Sequence, residues 1–195
     1  MYLPMSKTAK KSEIKSRASH FDHMPTSDAN AMYNNISTEH AIEVITWWLK
    51  DLAEKMLLPE GFPLEAVLEA MQKIMINNIF EFGDCYFLQL LGTTMGTSAA
   101  VMWATLYYAY HEVHTLLPRH GSSLSYFQRF IDDIFGIWVG NITTDWSNFC
   151  NDVDNFGVLT WNIKQQHLST SVDFLEPSKK ISIFTCTSLQ CQHTP

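Results

Sequence analysis

Cysteine is scarce in this chain: Cys85, Cys150, Cys186 and Cys191 are the only four among 195 residues. That is too few and too scattered for a disulfide-stapled secreted scaffold, so an intracellular, reducing setting is expected, nuclear or cytoplasmic. Cys186, Cys191 and His193 lack a second ligand pair at zinc-site spacing, which argues against a metal knuckle. Charge is sparse too, at 17% of residues, and the basic sign is the scarcer one: 13 Lys and Arg face 20 Asp and Glu, a net charge of −7. A surface that grips nucleic acid unaided should be basic. The shortage is uneven, because Lys7, Lys10, Lys11, Lys15 and Arg17 crowd one end with only Glu13 against them. No apolar run of signal-peptide length opens the chain, and no internal repeat is visible.

What is present is apolar: 46% hydrophobic residues over a length that suits one domain with a real core. Residues 1–24 are polar, basic and aperiodic, and read as an irregular tail. Ile42, Ile45, Leu49, Leu52 and Met56 recur at three- and four-residue steps, the stripe of an amphipathic helix. Ser37 or Thr38 can cap it, and Pro59 closes it. A second helix opens at Pro63 and ends near Asn77 and Asn78. Gly83-Asp84 between the apolar runs of Ile79 to Leu90 predicts a tight hairpin.

Residues 88–110 carry no formal charge. As one helix they would be long enough to cross a bilayer, and Gly92 and Gly96 stand at a membrane helix-pairing spacing. That is one alternative: a small membrane protein anchored there. Gln89, Thr93, Thr94, Thr97 and Ser98 suit a lipid-facing helix poorly, so a buried helix in a folded core, with no membrane partner, is the reading preferred.

Two β-prone runs, Tyr126 to Ile131 and Ile134 to Val139, flank Asp132-Asp133. This predicts a hairpin with two carboxylates at its tip. An ordinary turn also favours Asp, yet adjacent carboxylates between apolar strands repel one another and call for neutralisation. Asp28 opens a short predicted strand that could bring a third carboxylate to the pair. Hard oxygen ligands of this kind suit Mg²⁺, or Mn²⁺ in its place, bound together with substrate phosphates. Trp146 to Phe156 reads as a helix, and Leu159 to Ile163 and Ile181 to Thr185 as strands.

From about Pro25 to Leu175 the chain resembles the palm of reverse transcriptases, RNA-directed DNA polymerases, and most nearly the Penelope-like retroelement type. Asp28 to Ile36 resembles the first catalytic block, with an aromatic five residues after the aspartate and then Asn-Ile. Gln89 to Thr97 resembles the Gln-x-x-Gly-x-x-Met-Gly block, leading into a helix that ends at His111-Glu112. Arg129-Phe130-Ile131-Asp132-Asp133 resembles the aromatic-x-Asp-Asp box, and Leu159 to Leu175 the segment that follows.

The resemblance implies template-directed nucleotidyl transfer by two-metal catalysis, with a nucleic acid template-primer and deoxynucleoside triphosphates as partners. It makes Asp28, Asp132 and Asp133 catalytic metal ligands, with the Ala29 carbonyl joining them. Tyr33 becomes a steric gate against a 2′-hydroxyl, although a core tyrosine is the plainer reading of that residue. Gln89, Gly92, Met95 and Gly96 would line the nucleotide and template, glycine allowing close backbone approach. Seen without the family, the two glycines serve equally as punctuation at a helix entry.

Some features depart from the pattern. Leu175-Glu176-Pro177 stands where the family often has Leu-Asp, and Thr97-Ser98-Ala99-Ala100 lacks a common proline. Only 27 residues precede Asp28 and 20 follow Leu175, so the expectation is a truncated palm at 25–176, with a short end at 177–195 and with fingers and thumb largely absent. A palm remnant without enzymatic role is the alternative. The expected architecture is α+β: a small antiparallel sheet bearing the aspartates, backed by the helices from Ile42 and Thr97.

Overall fold

The computed structural model describes residues 23–93, 98–139, 144–167, 171–173 and 180–182. The first strand, β1 (His23–Ala29), begins two residues inside the stretch read as an irregular tail. Its inclusion follows from pairing on both sides, since β1 is a central strand of a four-stranded sheet and not an edge. A 3₁₀ turn at Met32–Asn34 leads from β1 to α1 (Thr38–Glu54). The Ser37 side chain accepts a hydrogen bond from the His40 backbone N–H, which caps the helix. Ala41, Val44 and Ile45 are its buried positions, at the spacing of one helical face.

Helix α2 (Leu64–Ile76) starts directly after Pro63 and stops at Asn77, whose N–H returns to the Lys73 carbonyl. Next come β2 (Ile79–Phe82) and β3 (Cys85–Leu88), paired around Gly83 at φ 63, as the Gly-Asp signal predicts.

Helix α3 (Ser98–His111) packs one face into the core and leaves Val101 and Met102 about half exposed. Ala100, Trp103, Ala104, Tyr107 and Tyr108 are buried, each 1% exposed or less, at steps of three, one, three and one. Each of the three large aromatics buries on the order of 200 Å², about 5 kcal/mol of gross hydrophobic stabilisation. The two tyrosine hydroxyls are provided for, whereas Trp103 Nε1 has no hydrogen-bond partner among the described residues. Tyr108 donates to the Val153 carbonyl at 2.7 Å, and the Tyr107 hydroxyl lies 2.8 Å from His40 Nδ1. The helix continues past the expected stop at His111-Glu112 through a widened π turn, Glu112–Leu116, into α4 (Leu117–His120). Leu117 N–H bonds to the Glu112 carbonyl five residues back. Pro118, with no N–H of its own, sits where a regular helix would need one.

Residues 88–110 do not form one helix: Leu88 ends a strand, Gly92 has φ 85, and the helix begins only at Ser98. Among the described residues no helix is long and apolar enough to cross a membrane.

The hairpin β4 (Leu124–Phe130) and β5 (Asp133–Trp138) follows, then α5 (Thr144–Asp154) and β6 (Trp161–His167). β6 begins at Trp161, two residues later than the apolar pattern implies, because Phe156 and Leu159 are taken by a tight bridge before it. β7 (Ser171–Asp173) and β8 (Lys180–Ser182) pair with each other apart from the main sheet. The main sheet is antiparallel throughout, in the order β4-β5-β1-β6. Helices α1, α3 and α5 supply the rest of the core around Ile134, Trp138 and Trp161. The fold is therefore α+β, with a small antiparallel sheet backed by helices.

Candidate active site

Register decides what the sheet presents. Asp28 on β1 stands opposite Asp133 on β5 and opposite Asn162 on β6, while Asp133 stands opposite Phe130 on β4. Directly paired residues of an antiparallel sheet project from the same face, with Cα atoms roughly 4.5–5.5 Å apart. One row across the sheet thus reads Phe130, Asp133, Asp28, Asn162. The neighbouring row, Arg129, Ile134, Ser27 and Ile163, projects from the opposite face, toward the helices. Alternation puts the carboxylates on the face away from the helices, which they share with the buried Phe135 and Ile137.

Asp132 joins them through the turn. The β4–β5 connection has two residues, Ile131 and Asp132, and Ile131 has φ 53. That region is unfavourable for a β-branched side chain, at a cost of about 1–2 kcal/mol. The Ala29 N–H donates to the Asp132 carbonyl at 2.9 Å, which ties the turn to the end of β1.

The electrostatics agree with this proximity. Burial, and then the charges of Asp132 and Asp28, push the Asp133 carboxyl above its ordinary value. Among the described residues none of the three acids has a Lys, Arg or His in ion-pair reach. The donor set is what a hard divalent cation takes: carboxylate oxygens on strands, with unrelieved mutual repulsion. As they stand, no three His, Cys, Asp or Glu side chains among the described residues close on a common point that would hold a metal.

Tyr33 lies in the 3₁₀ turn just past β1, half-buried. Burial, and then the charge of Asp132, raise its hydroxyl above the ordinary value. Its backbone is held by the second block: Thr93 N–H donates to the Tyr33 carbonyl at 2.7 Å and Gly92 N–H to the Ile36 carbonyl at 2.8 Å. Gly92 is the residue this docking requires. A Cβ there would collide with the Tyr33 carbonyl oxygen and lie 2.7 Å from Asn34 Cα. Its close approach is to the chain's own turn. Gln89 folds back on its own loop, its side-chain amide donating to the Leu91 carbonyl at 2.8 Å. Met95 and Gly96 lie outside the described residues, as do Cys186, Cys191 and His193.

Three polar residues of this site escape sequence reasoning. Asn162 enters through the β6 register. Its amide donates to Asn30 Oδ1 at 2.6 Å, and Asn30 donates to Thr160 Oγ1 at 2.9 Å, a polar border beside Asp28. Behind the turn, Arg129 and Glu112 form an ion pair with Nε to Oε1 at 2.6 Å. The available signal was compositional, since Glu112 is the one formal charge between Asp84 and Arg119.

The described residues thus set a row with two carboxylates at a hairpin tip, on an antiparallel sheet backed by helices. No protein-family model matches the chain, and neither does any curated protein. Among solved structures it is similar to the apo telomerase from Candida tropicalis truncated from its C-terminal domain, with a TM-score of 0.62 and 13% identity over 88% of this chain. This chain spans 36% of the length of that one. At such identity the likeness shows the fold alone.

Proposed function

We propose that the chain is the palm of a reverse-transcriptase-type polymerase, of the Penelope-like retroelement group, that adds deoxynucleotides to a primer on an RNA template. One observation carries this reading: the register that sets Asp28 opposite Asp133, beside the turn bearing Asp132. The telomerase-like fold supports it, as does the order of the sequence blocks.

Asp28, Asp132 and Asp133, with the Ala29 carbonyl, would hold Mg²⁺ or Mn²⁺. Bound there, such ions activate a primer 3′-hydroxyl and offset charge on leaving pyrophosphate. The chain's own residues do the rest. Tyr33, braced by Gly92 and Thr93, presents a ring where a sugar would sit and leaves no room for a 2′-hydroxyl. Asn30 and Asn162 supply neutral hydrogen-bonding groups at the border of the acidic row. Gln89, Gly92, Met95 and Gly96 belong to the block that would meet nucleotide and template.

The test is primer extension by the full chain with Mn²⁺ or Mg²⁺, compared with Asp132→Asn. Loss of a group that organises transition-state charge should lower the rate by several orders of magnitude. Equal extension by the variant overturns the assignment. Cation binding without extension by either protein favours the palm remnant.

A further inference from the structure

Behind the acidic turn, on the opposite face of the sheet, lies an ion pair that the metal site does not use. Arg129 and Glu112 have side chains only 5% and 7% exposed. The guanidinium is spent in four directions. Nε donates to Glu112 Oε1 at 2.6 Å and Nη2 to Oε2 at 3.4 Å, so the carboxylate takes the fork side-on. Nη2 also donates to the Thr105 carbonyl in α3, at 2.8 Å. The plane lies over the Tyr108 ring, 5.4 Å from its centre. The last arm, Nη1, donates to the Ile131 carbonyl at 2.7 Å.

That last contact gives the pair its consequence. The Ile131 carbonyl belongs to the peptide unit that delivers the chain into Asp132. Ile131 is also the β-branched residue at φ 53, a conformation that persists only where the surroundings over-determine it. An arginine fork is suited to that task because it is planar, permanently charged and able to serve several acceptors in fixed directions. Glu112 aims it, and Glu112 opens the π turn, an irregularity that often marks function.

We propose that Arg129, oriented by Glu112, is a positioning residue: it holds the strained Ile131 peptide in the conformation that presents Asp132 to the cations. This rests on the reading under Proposed function. Arg129 touches neither metal nor substrate in it and acts through the backbone alone.

The experiment uses the full chain, with Mn²⁺ affinity measured by the electron paramagnetic resonance of free Mn²⁺ and folding measured by thermal melting. Arg129→Lys keeps the charge opposite Glu112 but cannot serve Glu112, Thr105 and Ile131 together, and should weaken Mn²⁺ binding about tenfold or more. Ile131→Gly added to Arg129→Lys should recover most of the loss, because glycine adopts positive φ without support. A purely structural ion pair would show no such rescue. If Arg129→Lys does not fold, Glu112→Gln gives the same reading: a folded protein with weakened Mn²⁺ binding, restored by Ile131→Gly. Wild-type affinity in the folded Arg129→Lys or Glu112→Gln protein overturns the proposal, and so does weakened affinity that Ile131→Gly leaves unrepaired. Asp132→Asn separates the two levels. Unchanged Mn²⁺ binding in that variant sinks the palm reading itself, whereas its loss there alongside unaffected Arg129→Lys sinks only the positioning role.

Discussion

Replacing Gly92 by alanine puts a methyl group where the backbone of another segment already stands. Two costs add. Gly92 has φ 85, and an L-residue held in that region costs about 1–2 kcal/mol. The new Cβ would collide with the Tyr33 carbonyl oxygen and lie 2.7 Å and 2.8 Å from Asn34 Cα and its carbonyl oxygen. These are main-chain atoms, so relief means parting the segments and losing the hydrogen bonds from Gly92 to Ile36 and from Thr93 to Tyr33. At about 1 kcal/mol for each bond, the expected total is roughly 3–4 kcal/mol. For a chain of this size, that lowers the melting temperature by roughly 6–16 °C. Gly61→Ala and Gly83→Ala are the controls. Both positions have positive φ, 73 and 63, but nothing lies within 4 Å of the added methyl group. They should lose only the conformational part, about 1–2 kcal/mol. Thermal melts followed by circular dichroism make the comparison. If Gly92→Ala melts within about 2 °C of Gly83→Ala, the docking of the two blocks is wrong.

Tyr33→Ala should relax discrimination against ribonucleotides, read as the ratio of incorporation efficiencies for the two sugars; an unchanged ratio returns Tyr33 to a packing role. Glu112→Ala leaves Arg129 buried without its partner and should cost about 3–5 kcal/mol. Asp51→Ala, which removes an exposed helical pair with Lys55, should cost under about 0.5 kcal/mol by chemical denaturation. Equal costs would contradict the burial of the Arg129 pair. Burial holds the His111 ring below its ordinary value of 6.5, against the hydrogen bond to the Asp152 carbonyl. Its stabilising contribution is therefore complete above 6.5 and is lost as pH falls through the folded value. Burial pushes the Asp152 carboxyl up, but bonds from His120 and Arg119 outweigh it and leave the group below its ordinary 3.8. That contribution is complete above 3.8 and disappears as pH falls through its own lower value. Melting temperature should fall in two stages on acidification, the upper missing in His111→Gln; parallel curves for variant and wild type between about pH 7 and pH 5 would refute this. Burial raises the Cys150 thiol to about 11, whereas Cys85 is exposed, so iodoacetamide at about pH 8 should label Cys85 before Cys150 in peptide mass spectra. Faster labelling of Cys150 would contradict its burial.

Local signals were legible where one short stretch carries them. The three- and four-residue steps of α1, its Ser37 cap, Pro63 before α2 and Gly83-Asp84 in the first hairpin all depend on neighbours in sequence. The acidic tip of the β4–β5 hairpin was legible for the same reason. That Asp28 belongs beside it was an inference from the block pattern, and its physical basis is a register between strands a hundred residues apart. Asn162 could not be found, because nothing near it reveals which residue of β6 faces Asp28. The Arg129–Glu112 pair was equally hidden: each looks like a stray charge until α3 is laid behind the sheet. The uncharged run at 88–110 misleads because composition alone does not distinguish a helix buried by a sheet from one buried by lipid. The break at Gly92 and Thr93 decides, and it follows from their bonds to the Tyr33 turn. Glycine in that block was expected to admit substrate, but Gly92 admits the chain's own backbone.

Paramagnetic broadening of assigned backbone amide signals during Mn²⁺ titration most directly tests whether three acids distant in sequence share a cation. Signals of Asp28, Ala29, Asp132 and Asp133 should fade together at the first additions, and Asp28→Asn should protect the hairpin tip as well as β1. Broadening confined to one of the two segments, or centred elsewhere on the chain, would contradict the account.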